Sequence, residues 1–446
     1  MTIELLRQRR RNLGQFVKSP VLLWSGGRSP RNFRANPYPY RASSHFLYFV
    51  GRAIENAVVA LAGDRLTLFW DEPPKSAALW HGETLSREAL AAEIGAEAAH
   101  PMAALGDLKW LPEVGTVALT SGSAQVEMLG RELGNEADRA LAEAIVQVRL
   151  RQDAGAIEQI QQAVGVTIEA HRAGMTATRE AKTEAMVRAA MEQVLMANGM
   201  TTAYNSIVTV HGEVLHNEDY HHRIAPGDLL LADVGAETPL GWAADVTRTW
   251  PVSGQFSPTQ RDLYEVVLAA NQGAIAAVRP GMEYRDVHLL ACRILAEGLV
   301  SLGILRGNPE DLVAQDAHAL FFPHGIGHLL GLDVHDMEDL GDVAGYAAGR
   351  SHSDRFGLGY LRLDRPLVAG MVVTIEPGFY QVPAILGDRE RRDKFVDLVD
   401  WDRLGQFSDC RGIRIEDDLL VMEQGAVVLT GDLEKEARAI ETRLGA

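Results

Sequence analysis

The sequence predicts an α+β protein in two domains: a small α/β domain over residues 1–150 and a larger α+β domain over residues 151–446. Three observations carry this. At 446 residues the chain is longer than one ordinary hydrophobic core supports. Up to about residue 145, strand-like and helix-like stretches alternate. Beyond that point the apolar pattern first takes a helical period, and past about residue 200 short apolar runs of strand length dominate.

In the first domain, Ala57–Ala62 and Arg65–Trp70 flank Gly63-Asp64, which reads as two strands of a hairpin. Ser86–Glu93 reads as a helix and Val117–Thr120 as a further strand. Aromatic residues crowd Tyr38–Phe49, a composition that fills a core or an interface, and Trp80-His81-Gly82 offers a second aromatic contact. Past residue 145, Ile157, Ile160, Val164 and Ile168 recur near every 3.6 residues and mark one buried helix face. A helix from Thr183 to Ala197 stops at Asn198-Gly199, and no Pro- or Gly-rich linker separates the two domains. Ser257-Pro258-Thr259-Gln260 combines an N-cap, a proline at the first helical position and a capping box. The helix it opens ends before Arg279-Pro280-Gly281, and another covers Tyr284–Leu302. Strands are expected at Asp228–Gly235, Gly241–Trp250, Met371–Ile375 and Gly412–Asp417, the last followed by Leu419–Val421.

Composition narrows the function. Apolar residues make up 47% of the chain and charged residues 23%, as in a soluble globular protein. A formal charge of -17 argues against nucleic acid as a partner, because phosphate binding needs a basic surface. Two cysteines, Cys292 and Cys410, are too few for a disulfide framework and fit a reducing cytoplasm. Met1–Arg11 has no apolar stretch of signal-peptide length, and no run approaches a membrane span. A cytoplasmic protein is expected.

The chemistry concentrates in Phe321–Asp336, where His324, His328 and His335 fall within twelve residues among glycines and apolar side chains. Histidine titrates near neutrality and ligates metals, so three in an apolar setting suggest a site, whereas any one alone reads as a hydrogen-bonded core residue. Four carboxylates lie in or at the ends of apolar strand-like runs: Asp233, Asp245, Glu376 and Glu416. Each alone could pair with Arg248 or Arg414, but four together with His328 are costly to bury unless a metal holds them. Five mostly oxygen ligands suit two divalent ions sharing bridging carboxylates. Arg414 precedes Glu416 by two positions, so on a strand both face one side and Arg414 can orient the carboxylates.

In order, Asp233, Asp245, His328, Glu376 and Glu416, within Leu231–Gly235, Asp245–Thr249, His324–His328, Glu376-Pro377-Gly378 and Arg414–Asp417, resemble the motifs of the pita-bread metallopeptidases. The likeness is nearest to the proline-specific branch, the Xaa-Pro aminopeptidases (aminopeptidase P) and the prolidases, and Tyr38–Gly51 resembles that branch's N-terminal domain. The resemblance implies a pita-bread catalytic domain over 151–446, a curved antiparallel sheet wrapped in helices, behind an aminopeptidase P-type domain over 1–150. It implies two divalent ions, Mn2+ first, with Zn2+ or Co2+ as alternatives. Asp233 would bind one ion, His328 and Glu376 the other, and Asp245 and Glu416 would bridge. A hydroxide shared by the ions would attack the carbonyl before proline, with Glu376 as proton acceptor. His324 matches a family histidine near the catalytic water and His335 one that stabilises the tetrahedral intermediate. His216 matches a third, at the substrate, though alone it reads as a surface loop residue beside His221-His222.

Two features pull toward different members. The long connection between His335 and Glu376, with Arg362, resembles prolidases, where an arginine holds the substrate's free carboxylate; Arg362 alone reads equally as a solvated loop charge. Trp80 resembles an aminopeptidase P tryptophan that reaches a neighbouring subunit's active site. Expected, then, is a metal-dependent Xaa-Pro aminopeptidase acting on proline-containing peptides and assembling as a homo-oligomer, a dimer or tetramer. The alternatives are an Xaa-Pro dipeptidase and, more remotely, a non-catalytic peptide-binding module. A creatinase-like amidinohydrolase would not keep the five ligands.

Overall fold

The computed structural model describes residues 1–119 and 122–445. The chain divides into two compact units, Met1–Leu150 and Arg151–Ala446.

The first unit is built on a five-stranded sheet in the order Ala98–His100, Arg65–Phe69, Val58–Ala62, Val21–Trp24, Gly115–Thr116. The three central strands are antiparallel and the two outer ones pair in parallel. The expected hairpin is present, with Ala62 opposite Arg65 and Gly63 taking the positive φ of 64° that its two-residue turn requires. The Arg87–Ile94 helix starts one residue later than expected because the Ser86 side chain caps it, accepting from the Ala89 N–H. Phe46, Tyr48 and Phe49 sit on the Ser44–Val50 helix and are buried, so the aromatic stretch is in large part core.

The strand expected at Val117–Thr120 is displaced. The pairing covers Gly115–Thr116 only, Val117–Leu119 leave the ladder, and Thr120 lies outside the described residues. The Gln125 side chain takes the ladder's place, donating to the Val117 carbonyl and accepting from the Leu119 N–H. With those backbone groups satisfied locally, no partner strand is needed.

The second unit packs two helix pairs around small antiparallel sheets. Ala154–Thr178 pairs with Glu184–Ala197, and Pro258–Ala277 with Tyr284–Ser301. Asn198 caps the second helix with Gly199 at φ 70°, and Ser257 with Gln260 forms the capping box of the third. One sheet runs Thr247–Pro251, Leu229–Asp233, Ile207–Thr209; another runs Val372–Ile375, Asp417–Val421, Ala426–Val428; and Gly378–Tyr380 pairs with Gly412–Arg414. Every pair is antiparallel. Among the described residues no helix is long and apolar enough to cross a membrane.

Candidate metal centre

The ends of these strands meet at one cavity of about 610 Å³. Asp233 is the last residue of its strand and lies opposite Thr247, the first residue of the neighbouring one. Asp245 comes two residues before that point. It was expected in mid-strand, but the ladder begins only at Thr247. The Asp245 N–H instead donates to Asp418 Oδ2 at 3.1 Å. Released from the pleat, its carboxylate turns into the cavity beside those of Asp233, Glu376 and Glu416.

His328 is oriented by its own backbone. Its Nδ1–H donates to the Leu329 carbonyl at 3.0 Å, which leaves the Nε2 lone pair facing Asp245 Oδ2 at 3.3 Å and Glu376 Oε1 at 3.7 Å. Arg414 donates to Asp233 Oδ2 at 2.6 Å, to the Thr247 hydroxyl at 3.0 Å and to the Tyr380 hydroxyl at 3.1 Å. The Thr247 hydroxyl in turn donates to Glu416 Oε2 at 2.8 Å. Arg414 therefore holds Asp233 directly and Glu416 through Thr247.

The electrostatics define what the cavity can hold. Burial pushes the Asp245 carboxyl up to about 8, aided by the charge of Asp233, and Glu376 up to about 7. Burial and the neighbouring carboxylates raise Glu416 well above the usual range, and Asp418 likewise. Asp245 Oδ1, Glu416 Oε1 and Asp418 Oδ1 are buried without a hydrogen-bond partner. Asp245, His328 and Glu416 each bring a ligand atom within 4.8 Å of the others. Orphaned acceptors, crowded carboxyls and an imidazole lone pair at one point fit divalent cations, which would satisfy the oxygens and balance the charge together.

The remaining expected residues divide. His324, His335, His216 and Arg362 all line the cavity. His324 donates from Nδ1 to the Gly325 carbonyl and accepts at Nε2 from the Tyr380 hydroxyl, both at 2.8 Å. His335 lies edge-on to His328, the ring centroids 4.4 Å apart, and donates to Glu338 Oε2 at 2.8 Å. Arg362 donates to the other oxygen of the same carboxylate. Those two bonds, His335 first, draw Glu338 down to about 2. His216 stands exposed at the cavity's edge. Trp80 belongs to the first unit, on the short helix Ala78–His81, and is 79% exposed.

The model of metallopeptidase family M24 matches residues 158–423, and that of the aminopeptidase P N-terminal domain matches residues 6–111. The chain belongs to metallopeptidase family M24. A probable Xaa-Pro aminopeptidase of Talaromyces marneffei is 32% identical over 406 residues, 88% of this chain and 85% of that protein. The human Xaa-Pro dipeptidase is 29% identical over 457 residues, covering 96% and 89%. The solved proline aminopeptidase P II of Yersinia pestis superposes with a TM-score of 0.81 at 28% identity, over 100% of both chains. The expected fold is thus the fold found: an N-terminal aminopeptidase P-type domain followed by the pita-bread domain of the M24 family.

Three M24-site residues escape sequence reading. Asp418 hides in the acidic run Glu416-Asp417-Asp418. Asp418 accepts from the Asp245 N–H at 3.1 Å, while Asp417 pairs with Arg248 and Lys435, each at 2.7 Å. The expected strand Gly412–Asp417 ends at Arg414, and Glu416 lies in the gap before the next strand starts at Asp417. Tyr204 donates to Asp233 Oδ1 at 2.6 Å, and Tyr380 joins Arg414 to His324, with no local signal for either. Tyr380→Phe removes that joint while keeping the ring. Losing one hydrogen bond in a charged network should lower kcat about tenfold with little change in the melting temperature. A parallel measurement of kcat and thermal melting checks this, and an unchanged kcat would remove Tyr380 from the working site.

Proposed function

We infer that this chain is a metal-dependent Xaa-Pro aminopeptidase, a hydrolase that cleaves the bond preceding proline and releases the N-terminal residue of the peptide. The observation that carries this is the convergence of Asp233, Asp245, His328, Glu376 and Glu416 on one cavity of an M24 chain. Relatives over 88% of its length are named Xaa-Pro aminopeptidases. Residues 151–446 form the catalytic domain in this reading, and residues 1–150 the aminopeptidase P-type domain.

Two divalent ions are the cofactor proposed, Mn2+ before Zn2+ or Co2+. Asp233 would hold one ion, His328 and Glu376 the other, with Asp245 and Glu416 bridging. Bound there, such ions lower the pKa of a water and polarise the scissile carbonyl. The protein's own part is positional and protonic. Arg414 locks Asp233 and, through Thr247, Glu416. Glu376, whose Oε1 lies 3.7 Å from His328 Nε2, would take the proton of the attacking water and return it to the leaving nitrogen. His324, with Nδ1 committed to Gly325 and Nε2 to Tyr380, is held neutral by burial at the reacting end. His335 offers Nε2 to the substrate while Glu338 holds its Nδ1. His216 and Arg362 stand at the cavity wall for the peptide, and Trp80 is assigned to substrate contact from a neighbouring subunit of a homo-oligomer. A prolyl nitrogen has no hydrogen to donate, so a site that acts on the carbonyl can use a bond that an N–H-gripping peptidase cannot. We place the enzyme in the cytoplasm, with no nucleic-acid or membrane partner, consistent with its formal charge of -17.

The decisive assay gives the Mn2+-loaded enzyme an Xaa-Pro dipeptide and an Xaa-Pro-led peptide of four or five residues side by side. Cleavage of the longer peptide at its first bond is the expected result. Turnover of the dipeptide alone would make the enzyme a prolidase instead. In that case Arg362→Ala would raise KM for dipeptides far more than for longer peptides, because a clamp on a free carboxylate is worth about 1.5–3 kcal/mol. Turnover of neither would favour a non-catalytic peptide-binding module.

A further inference from the structure

Among the described residues, a second group of metal-ligating side chains lies outside the cavity. The Tyr284–Ser301 helix carries His288 and Cys292 four residues apart, on one face. His318 meets them from the short turn Ala317–Leu320. His288, Cys292 and His318 are 0%, 0% and 1% exposed, and one ligand atom from each lies within 4.8 Å of the others.

Their hydrogen bonding is incomplete. His288 Nε2 donates to the Gly357 carbonyl at 2.9 Å and lies 3.4 Å from Cys292 Sγ. Neither ring nitrogen of His318 makes a hydrogen bond of normal geometry, although the ring is buried beside the Leu312 backbone. Gly357 is pressed against the group: a Cβ there would fall 3.0 Å from His318 Nε2 and 2.6 Å from Asp316 Oδ1. Backbone therefore closes the fourth side, with no room for a side chain. An S···N separation of 3.4 Å is close to the edge of a tetrahedron with metal–sulfur bonds of about 2.3 Å and metal–nitrogen bonds of about 2.0–2.1 Å.

We propose that His288, Cys292 and His318 bind a structural cation of the Zn2+ class, separate from the carboxylate-rich centre. The donor sets differ in kind. One thiolate and two imidazoles select a borderline ion, whereas the cavity's carboxylates suit harder ones. On binding, the Cys292 thiol proton leaves to solvent as sulfur takes the metal. The His288 proton moves from Nε2 to Nδ1, and the Gly357 carbonyl oxygen becomes the fourth donor. The ion would then pin the start of the segment whose Gly359, Tyr360 and Arg362 line the cavity. It would also back Phe322, which packs against His288 at 5.6 Å on one side and His324 at 4.7 Å on the other, between ring centroids.

Cobalt tests this, because cysteine thiolate bound to Co2+ gives an intense near-ultraviolet charge-transfer band that carboxylate and imidazole ligands do not. Protein produced in cobalt-supplemented medium should show the band at about one thiolate–cobalt unit per chain. The band should vanish in Cys292→Ser and persist in Cys410→Ser. Wild-type protein without the band overturns the proposal, and so does a band that survives Cys292→Ser. Should Cys292→Ser fail to fold, the wild-type and Cys410→Ser spectra still decide.

Discussion

Replacing Asp245 by Asn should lower kcat by about three orders of magnitude and at the same time make the metal-free protein more stable. The two effects have one cause. Asp245 is 5% exposed, its Oδ1 has no partner, and its Oδ2 faces the His328 lone pair. Its charge is tolerable only when a cation balances it. The amide keeps the size of the side chain and leaves the backbone bond to Asp418 in place. A bridging carboxylate that helps clamp two cations contributes several kcal/mol to the barrier, and each 1.36 kcal/mol is a factor of ten in rate, hence about 10³. Stability moves the other way because burial and Asp233 already press the Asp245 carboxyl toward its neutral form, and the amide is neutral throughout. The measurements are kcat at saturating Mn2+ and thermal melting after chelation at pH 8. Full turnover by Asp245→Asn would sink the two-ion reading. A lower melting temperature for its metal-free form would show that the carboxylates do not repel one another.

What could be read from the sequence, and what could not, follows from how local each signal is. Ser257 with Gln260, and Asn198 with Gly199, act on backbone groups within a few residues, so their helix ends were legible. The metal-type residues were legible because a carboxylate in an apolar run is conspicuous in one dimension. Their backbone setting was less so. Asp245 sits before its strand rather than within it, since its N–H bonds to Asp418, 173 residues away. Gln125 replaces a ladder at Val117 and Leu119 by a side-chain contact that no periodicity announces. Tyr380, 56 residues from His324, and Glu338, 24 from Arg362, acquire meaning only through folding. Cys292 illustrates the same limit. His288 stands four residues before it in the chain, but His318, on a different element, reaches it only through folding.

Metal removal should make stability fall steeply as pH rises from 6.5 to 8. In the folded, metal-free protein Asp245 keeps its proton up to about pH 8, and Glu416 and Asp418 are raised well above their ordinary values as well, burial being the first cause for all three. In the unfolded chain these carboxyls lose their protons near the ordinary values of 3.8 and 4.5. The folded state therefore binds more protons across this window, and stability must fall as pH rises, by about 1.4 kcal/mol per pH unit for each proton held. The carboxyls titrate as a cluster, so the slope belongs to the group. Histidines act oppositely but lower. Burial depresses His324 to about 3 and His171 and His288 to about 4, so they remove stability only as pH drops below about 6.5. Above that point these three no longer contribute, and His221, raised by its hydrogen bond to Asp219 at the surface, acts alike with and without cations and cancels from the comparison. With cations bound, the cluster is ionised in both states and the slope should flatten, so the stabilisation by metal should grow toward pH 8. Thermal melts with Mn2+ and with chelator at pH 6.5 and 8 measure the difference directly. A metal-free protein equally stable at both would mean that the buried carboxyls are already balanced by Arg414, and that cations are not what the cluster is built to hold.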